Sequence, residues 1–152
     1  VRAILINPFA KTVTEVDTNG YADTYGAIQR LVFGRSMNDT NGFVERVRIG
    51  AEHSIYIDEE GMLVDWDHQA FFKIGGRSLA GNGVIVCDDD WGGVEPCDIP
   101  LDVVTQAVEW LTPQEVDVPA PRIHYVENGV EQTELIYGVD RWNYKQRPVR
   151  RW

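Results

Sequence analysis

Three stretches of the chain carry closely spaced carboxylates: Asp58-Glu59-Glu60, Asp65-Trp66-Asp67 followed by His68, and Asp88-Asp89-Asp90. Carboxylate oxygens are hard ligands. A set drawn from Asp58, Glu60, Asp65, Asp67, Asp88 and Asp90 would hold Mg²⁺ or Ca²⁺ if the loops converged in space. A divalent-metal-dependent enzyme is the activity that such a site would support. Two things weigh against it. No D-x-[DN]-x-[DN]-G run organises the acids into an EF-hand. A metal hydrolase also needs a poised water and an electrophilic stabiliser, and no motif supplies either. The expectation is therefore solvated loop acid, no catalytic residue and no cofactor, with a divalent cation as the alternative.

Other chemistry-bearing residues are weaker signals. Gly75 to Gly83 is glycine-rich, but it lacks both the G-K-[ST] ending of a P-loop and the G-x-G-x-x-G spacing of a dinucleotide fold. Turn glycines in a hairpin or crossover explain it better, although Arg77 could pair with a phosphate. His53, His68 and His124 share no ligand spacing, and Ser78 has no base beside it in the sequence. Cys87 and Cys97 fit neither a zinc knuckle nor a C-x-x-C pair and read as a buried strand-end thiol and a loop thiol. Trp66 and Trp91 sit beside acidic loops and read as rim-packing residues.

The C-terminal segment differs from the rest. Arg141, Trp142, Tyr144, Lys145, Arg147, Arg150, Arg151 and Trp152 interleave cations with aromatics. Tryptophan, tyrosine and arginine dominate binding hot spots, and the same mixture suits single-stranded nucleic acid through stacking and charge. Packing back onto an acidic body would use the same physics. The net charge is −10, and no acid follows Asp140, so the body carries about −15 and the tail +5. An acidic body repels nucleic acid, while a short basic tail finds acidic surfaces: nucleic acid, a protein, or a neighbouring copy.

These residues need elements to position them. Ala3–Asn7 and Thr12–Val16 read as a strand pair broken at Pro8. Spacings of three and four over Tyr21–Phe33 predict a helix stopped by Gly34, followed by a polar loop from Ser36 to Gly42. Phe43–Ile49, Ser54–Ile57, Ala70–Ile74 and Val84–Cys87 read as strands. In the first of these, Phe43, Val47 and Ile49 share one face and Arg46 and Arg48 the other. Pro100–Leu111 predicts a second helix, with an apolar stripe of Val103, Val104, Ala107, Val108 and Leu111. Thr112–Pro121, with three prolines, reads as a semi-rigid linker. Arg122–Val126 and Val130–Tyr137 flank Asn128-Gly129, a favoured hairpin turn. Two strands alone are marginal, so this hairpin should dock on the body or on another chain.

The predicted architecture is α+β: a mixed, mainly antiparallel sheet of about five or six strands with two packed helices, plus a C-terminal β-hairpin and tail. The expected organisation is an acidic core over 1–111, a linker over 112–121, a hairpin over 122–138 and a basic tail over 139–152. The longest apolar stretches fall well short of a bilayer span of roughly 18–20 residues. The apolar start is too short for a signal peptide, so the expected place is the host cytoplasm, with no membrane partner.

The Ala3-Ile4-Leu5-Ile6-Asn7-Pro8 start, the Thr12–Val16 strand, Ile55-Tyr56-Ile57-Asp58-Glu59-Glu60-Gly61-Met62-Leu63, and Phe71–Ile74 followed by Leu79–Val86 occur in an order that resembles small phage- and plasmid-borne proteins near the family called domain of unknown function 3846. The resemblance spans residues 2–111, and its most specific part is the strand ending Asp58-Glu59-Glu60-Gly61. It implies a mobile-element origin and carries over no catalytic residue. The expected function is a non-enzymatic interaction module acting on a host protein or on itself. The alternatives are a nucleic-acid-binding accessory factor using the tail and the divalent-metal enzyme described above.

Overall fold

The computed structural model describes residues 1–18, 23–34, 43–117 and 122–135. The predicted 36–42 loop and the tail lie outside these residues. The fold is α+β, with two α-helices and only antiparallel strand pairs among the described residues.

The main sheet has six strands: β1 (Arg2–Asn7), β2 (Thr12–Asp17), β3 (Val44–Arg48), β4 (His53–Asp58), β7 (Gly83–Asp88) and the two-residue β8 (Val94–Glu95). Their order is β2-β1-β7-β4-β3, with β8 pairing the end of β7. A second sheet of three strands, ordered β6-β5-β9, contains β5 (Phe71–Ile74), β6 (Arg77–Ala80) and β9 (Glu109–Leu111). The sequence predicted one sheet, but the apolar residues fill two. Phe72, Ile74 and Leu79 of the second sheet pack with Ile4, Ile6, Val47, Ile55, Ile57 and Ile85 on one face of the main sheet. Helix α1 (Thr24–Phe33) covers the other face, where Ile28 and Val32 meet Ala3, Tyr56, Val84 and Val86. Strand β7 is central and covered on both sides, which is why Val84-Ile85-Val86-Cys87 is apolar without alternation.

Local chemistry explains the element ends. Asp23 caps α1 by accepting a hydrogen bond from the Gly26 amide, and Gly34 ends it in the left-handed conformation. Gly75 and Gly76, both at positive φ, join β5 to β6. The glycine-rich stretch is thus a hairpin turn running into a buried strand.

The predicted Pro100–Leu111 helix is shorter than expected, at 7 residues. Helix α2 covers only Leu101–Ala107, and residues 109–111 pair with β5 as a strand. Of its apolar stripe only Val104 is buried, and Val103 is 51% exposed. The open edge of β5 supplies backbone partners for 109–111, and the Trp110↔Phe72 pairing places Trp110 against the core. Burying a large aromatic outweighs helix propensity differences of well under 1 kcal/mol per residue.

The first part of the predicted linker is tied down. A 3-10 turn at Pro113–Glu115 is capped by Thr112. Asp117 then pairs with Lys73 at 2.9 Å and accepts a hydrogen bond from Ser78. Strands β10 (Arg122–Glu127) and β11 (Val130–Leu135) form the predicted hairpin around Asn128-Gly129, both at positive φ. No helix among the described residues is long and apolar enough to cross a membrane.

Candidate functional site

Two polar clusters lie at the same end of the main sheet, on opposite faces. Both are built on the pairing of β4 with β7, where His53 stands opposite Cys87 and Ser54 opposite Val86. Successive side chains on a strand point to opposite faces. Hence His53 and Cys87 go to the face covered by the second sheet, while Ser54 and Asp88 go to the α1 face, beyond the helix.

On the α1 face, Arg46 and Arg48 of β3 join Ser54 and Asp88. The Asp88 side chain is only 6% exposed. It pairs with the Arg46 guanidinium and accepts a hydrogen bond from the Ser54 hydroxyl at 2.7 Å. Arg46 also donates to the Ser54 hydroxyl at 3.3 Å and to the Gly92 carbonyl at 2.7 Å, and its guanidinium lies 5.9 Å from the Tyr56 ring centre. Burial alone would raise the Asp88 carboxyl, but the bonds from Ser54 and Arg46 outweigh it and hold the group below the ordinary carboxylate range. Burial likewise pushes the Tyr56 phenol up, against the opposing pull of Arg46. Arg48 is 70% exposed and reaches Asp88 only at 4.0 Å, so its charge stays largely turned to solvent.

A groove of about 370 Å³ opens over this cluster, lined by Arg46, Arg48, Ser54, Asp89, Asp90 and Gly92. At its loop, the Asp89 carboxylate accepts hydrogen bonds from the amides of Trp91 and Gly93, fixing a tight turn. That turn presents Trp91 at 95% exposure. The expectation of a rim-packing tryptophan holds for Trp66, whose ring lies 4.9 Å from that of Phe71 and whose indole N–H donates to the Met62 carbonyl. Trp91 does the opposite and stands clear of the described residues.

On the other face, Asp98 from the loop before α2 reaches over His53 and Cys87. Its Oδ1 lies 2.6 Å from His53 Nε2 and 3.4 Å from Cys87 Sγ. The hydrogen bond from His53, then that from Cys87, hold the Asp98 carboxyl below its usual range. Burial pushes the Cys87 thiol up. Cys97 is also buried, and both cysteines are free thiols, as expected.

No three of the six acids singled out in the sequence bring their ligand atoms within 4.8 Å of one another. Asp58 and Asp88 stand at opposite ends of antiparallel neighbours, six residues apart along the strands and so separated by roughly 20 Å. Asp58 accepts the Glu60 amide, and Asp65 accepts the Asp67 amide and pairs with His68 at 3.4 Å. Asp67 and Asp90 are exposed. Among the described residues, the one group of three whose ligand atoms all lie within 4.8 Å of one another is His53, Cys87 and Asp98. The tail residues Arg141 to Trp152 lie outside the described residues.

No family model, curated protein or solved structure matches the chain. The resemblance over residues 2–111 therefore rests on the residues quoted for it.

Proposed function

We propose that this protein is a non-enzymatic interaction module that engages a protein partner, a host protein or a second copy of itself, through the groove over Arg46 and Arg48. The observation that carries this reading is Trp91, 95% exposed on a turn stitched by Asp89. Exposing a whole indole to water is unfavourable, by about 25 cal/mol for each Å² of apolar surface. A partner that covers it recovers that energy, and a hydrogen-bonded turn lowers the ordering cost of doing so. Arg48, which lines the groove, offers a cation to a partner carboxylate. The fully paired Arg46–Asp88–Ser54 set is the rigid floor. A mobile-element origin belongs to the same proposal and rests on the sequence resemblance.

Affinity capture from the native host lysate, together with sedimentation of the purified protein, tests the reading. A partner or a self-associated species should be present with the intact chain and lost with Trp91→Ala, which should cost about 2 kcal/mol of binding, near thirtyfold. Capture and sedimentation that do not change on that substitution overturn it. The composition of residues 141–152 keeps one second reading, nucleic-acid binding by the tail. That binding should weaken steeply with salt and vanish on deletion of 141–152.

A further inference from the structure

We propose that His53, Cys87 and Asp98 form a binding site for a tetrahedral transition-metal ion, Zn²⁺ in the first instance, with a fourth position open to solvent. The three donors are an imidazole nitrogen, a sulfur and a carboxylate oxygen, all within 4.8 Å of one another. Zinc takes sulfur at about 2.3 Å and nitrogen or oxygen at about 2.0–2.2 Å, which places tetrahedral donors roughly 3.3–3.8 Å apart. Small rotations of His53 and Asp98 would meet that spacing. Asp98 is 71% exposed and free to turn. A thiolate and an imidazole select zinc-like ions over Mg²⁺ or Ca²⁺, so this is a different chemistry from the carboxylate loops.

The frame around the donors is built. His53 and Cys87 are directly opposed in the β4–β7 register. The Arg2 guanidinium donates to the carbonyls of Cys97 and Ile99, at 2.7 and 2.9 Å, on either side of Asp98. The Cys97 amide in turn donates to the Arg2 carbonyl at 2.7 Å. The Asp98 loop is thereby clamped to β1 on both flanks.

The same residue types could suggest a cysteine nucleophile, but the order is wrong for it. In a nucleophilic set the imidazole takes the thiol proton and the acid stands behind the imidazole. Here the carboxylate lies between the two, and among the described residues no cation faces the sulfur to favour a thiolate. A metal ion changes that balance. It binds Cys87 as thiolate and the neutral imidazole of His53 through Nε2; the thiol proton leaves to solvent, the remaining imidazole hydrogen sits on Nδ1, and the ion replaces the hydrogen bonds that now join the three groups.

The test is titration of the metal-free full chain with Co²⁺ and Zn²⁺. One ion per chain should bind, with a thiolate-to-cobalt charge-transfer absorption that Zn²⁺ abolishes by displacement. Calorimetry in two buffers should show proton release near neutral pH. Cys87→Ser should remove the absorption, and His53→Gln and Asp98→Asn should each weaken binding at least about tenfold, the loss seen even for outer-shell changes at metal sites. Asp98 is exposed, so Asp98→Asn keeps the test sound if Cys87→Ser fails to fold. Cys97→Ser should bind as the parent does. Absence of binding by the intact chain, or binding that the Cys87, His53 and Asp98 substitutions leave unchanged, overturns the proposal.

Discussion

The two faces of the sheet at the β4–β7 end carry similar inventories, a carboxylate with a polar partner on each neighbouring strand, yet they are finished differently. On the α1 face, Asp88 is buried and matched by Arg46, Ser54 and, at longer range, Arg48. On the opposite face, Asp98 is exposed, and the side chains that hold it among the described residues are a histidine and a thiol whose ionisation burial opposes. A buried charge is tolerable only when its partners are in place, so the first cluster is structural and its removal should unfold something. The second keeps its carboxylate open to solvent, with three ligand-type atoms grouped there, and is the proposed receiving site for a metal ion.

Substitutions should separate the faces by size of effect. Asp88→Ala removes the carboxylate that Arg46 and Ser54 share, leaving Arg46 with its bonds to the Gly92 carbonyl and the Ser54 hydroxyl. Breaking a buried pair costs about 3–5 kcal/mol, and because Arg46 still reaches solvent about 2–3 kcal/mol is expected here, read as a lower urea midpoint at unchanged slope. A loss of less than about 0.5 kcal/mol would show that the cluster contributes nothing net.

The acid dependence follows from the same group. The folded state holds the Asp88 carboxyl below its ordinary value of 3.8, so the unfolded chain binds its proton first. The stabilisation is therefore complete above that value and is lost as pH falls through the lower, folded one. The stability gap between the parent and Asp88→Asn should narrow below about pH 4. A gap that stays constant down to pH 2 would contradict this.

Cys87→Ala removes a buried sulfur but leaves Asp98 its histidine, and about 1 kcal/mol is expected in urea unfolding without added metal. Smallest is Asp98→Asn, which should leave the melting temperature of the metal-free protein where it is, because the carboxylate is solvated. A large drop would mean that the second face is as structural as the first and would erase the contrast.

Much of this framework is readable from residue order. The β1–β2 pair, α1 with its Gly34 stop and the Asn128-Gly129 hairpin all follow from propensity, period and turn chemistry within a few residues. The split of Arg46 and Arg48 from Val47 and Ile49 across β3 follows from strand alternation alone. The end of α2 does not, because residues 109–111 are claimed by the edge of β5, some forty residues earlier. Nor does the His53–Cys87–Asp98 set, whose members stand 45 and 11 residues from Asp98 and match no ligand spacing. The acid-rich loops drew notice because their carboxylates are adjacent, yet adjacency along a chain does not bring separate loops together.

What residue order alone determined here is local: which segments are apolar enough to be strands, where glycine and asparagine turn the chain, and that charge is segregated between body and tail. Tertiary structure decided the rest, because chemistry at a site depends on which strand lies beside which and in what register. One step along β4 and one along β7 separate His53 and Cys87 from Ser54 and Asp88. The pleat sends each pair to its own face, and the loops that then close over each face decide whether a charge is buried with partners or left open to a ligand.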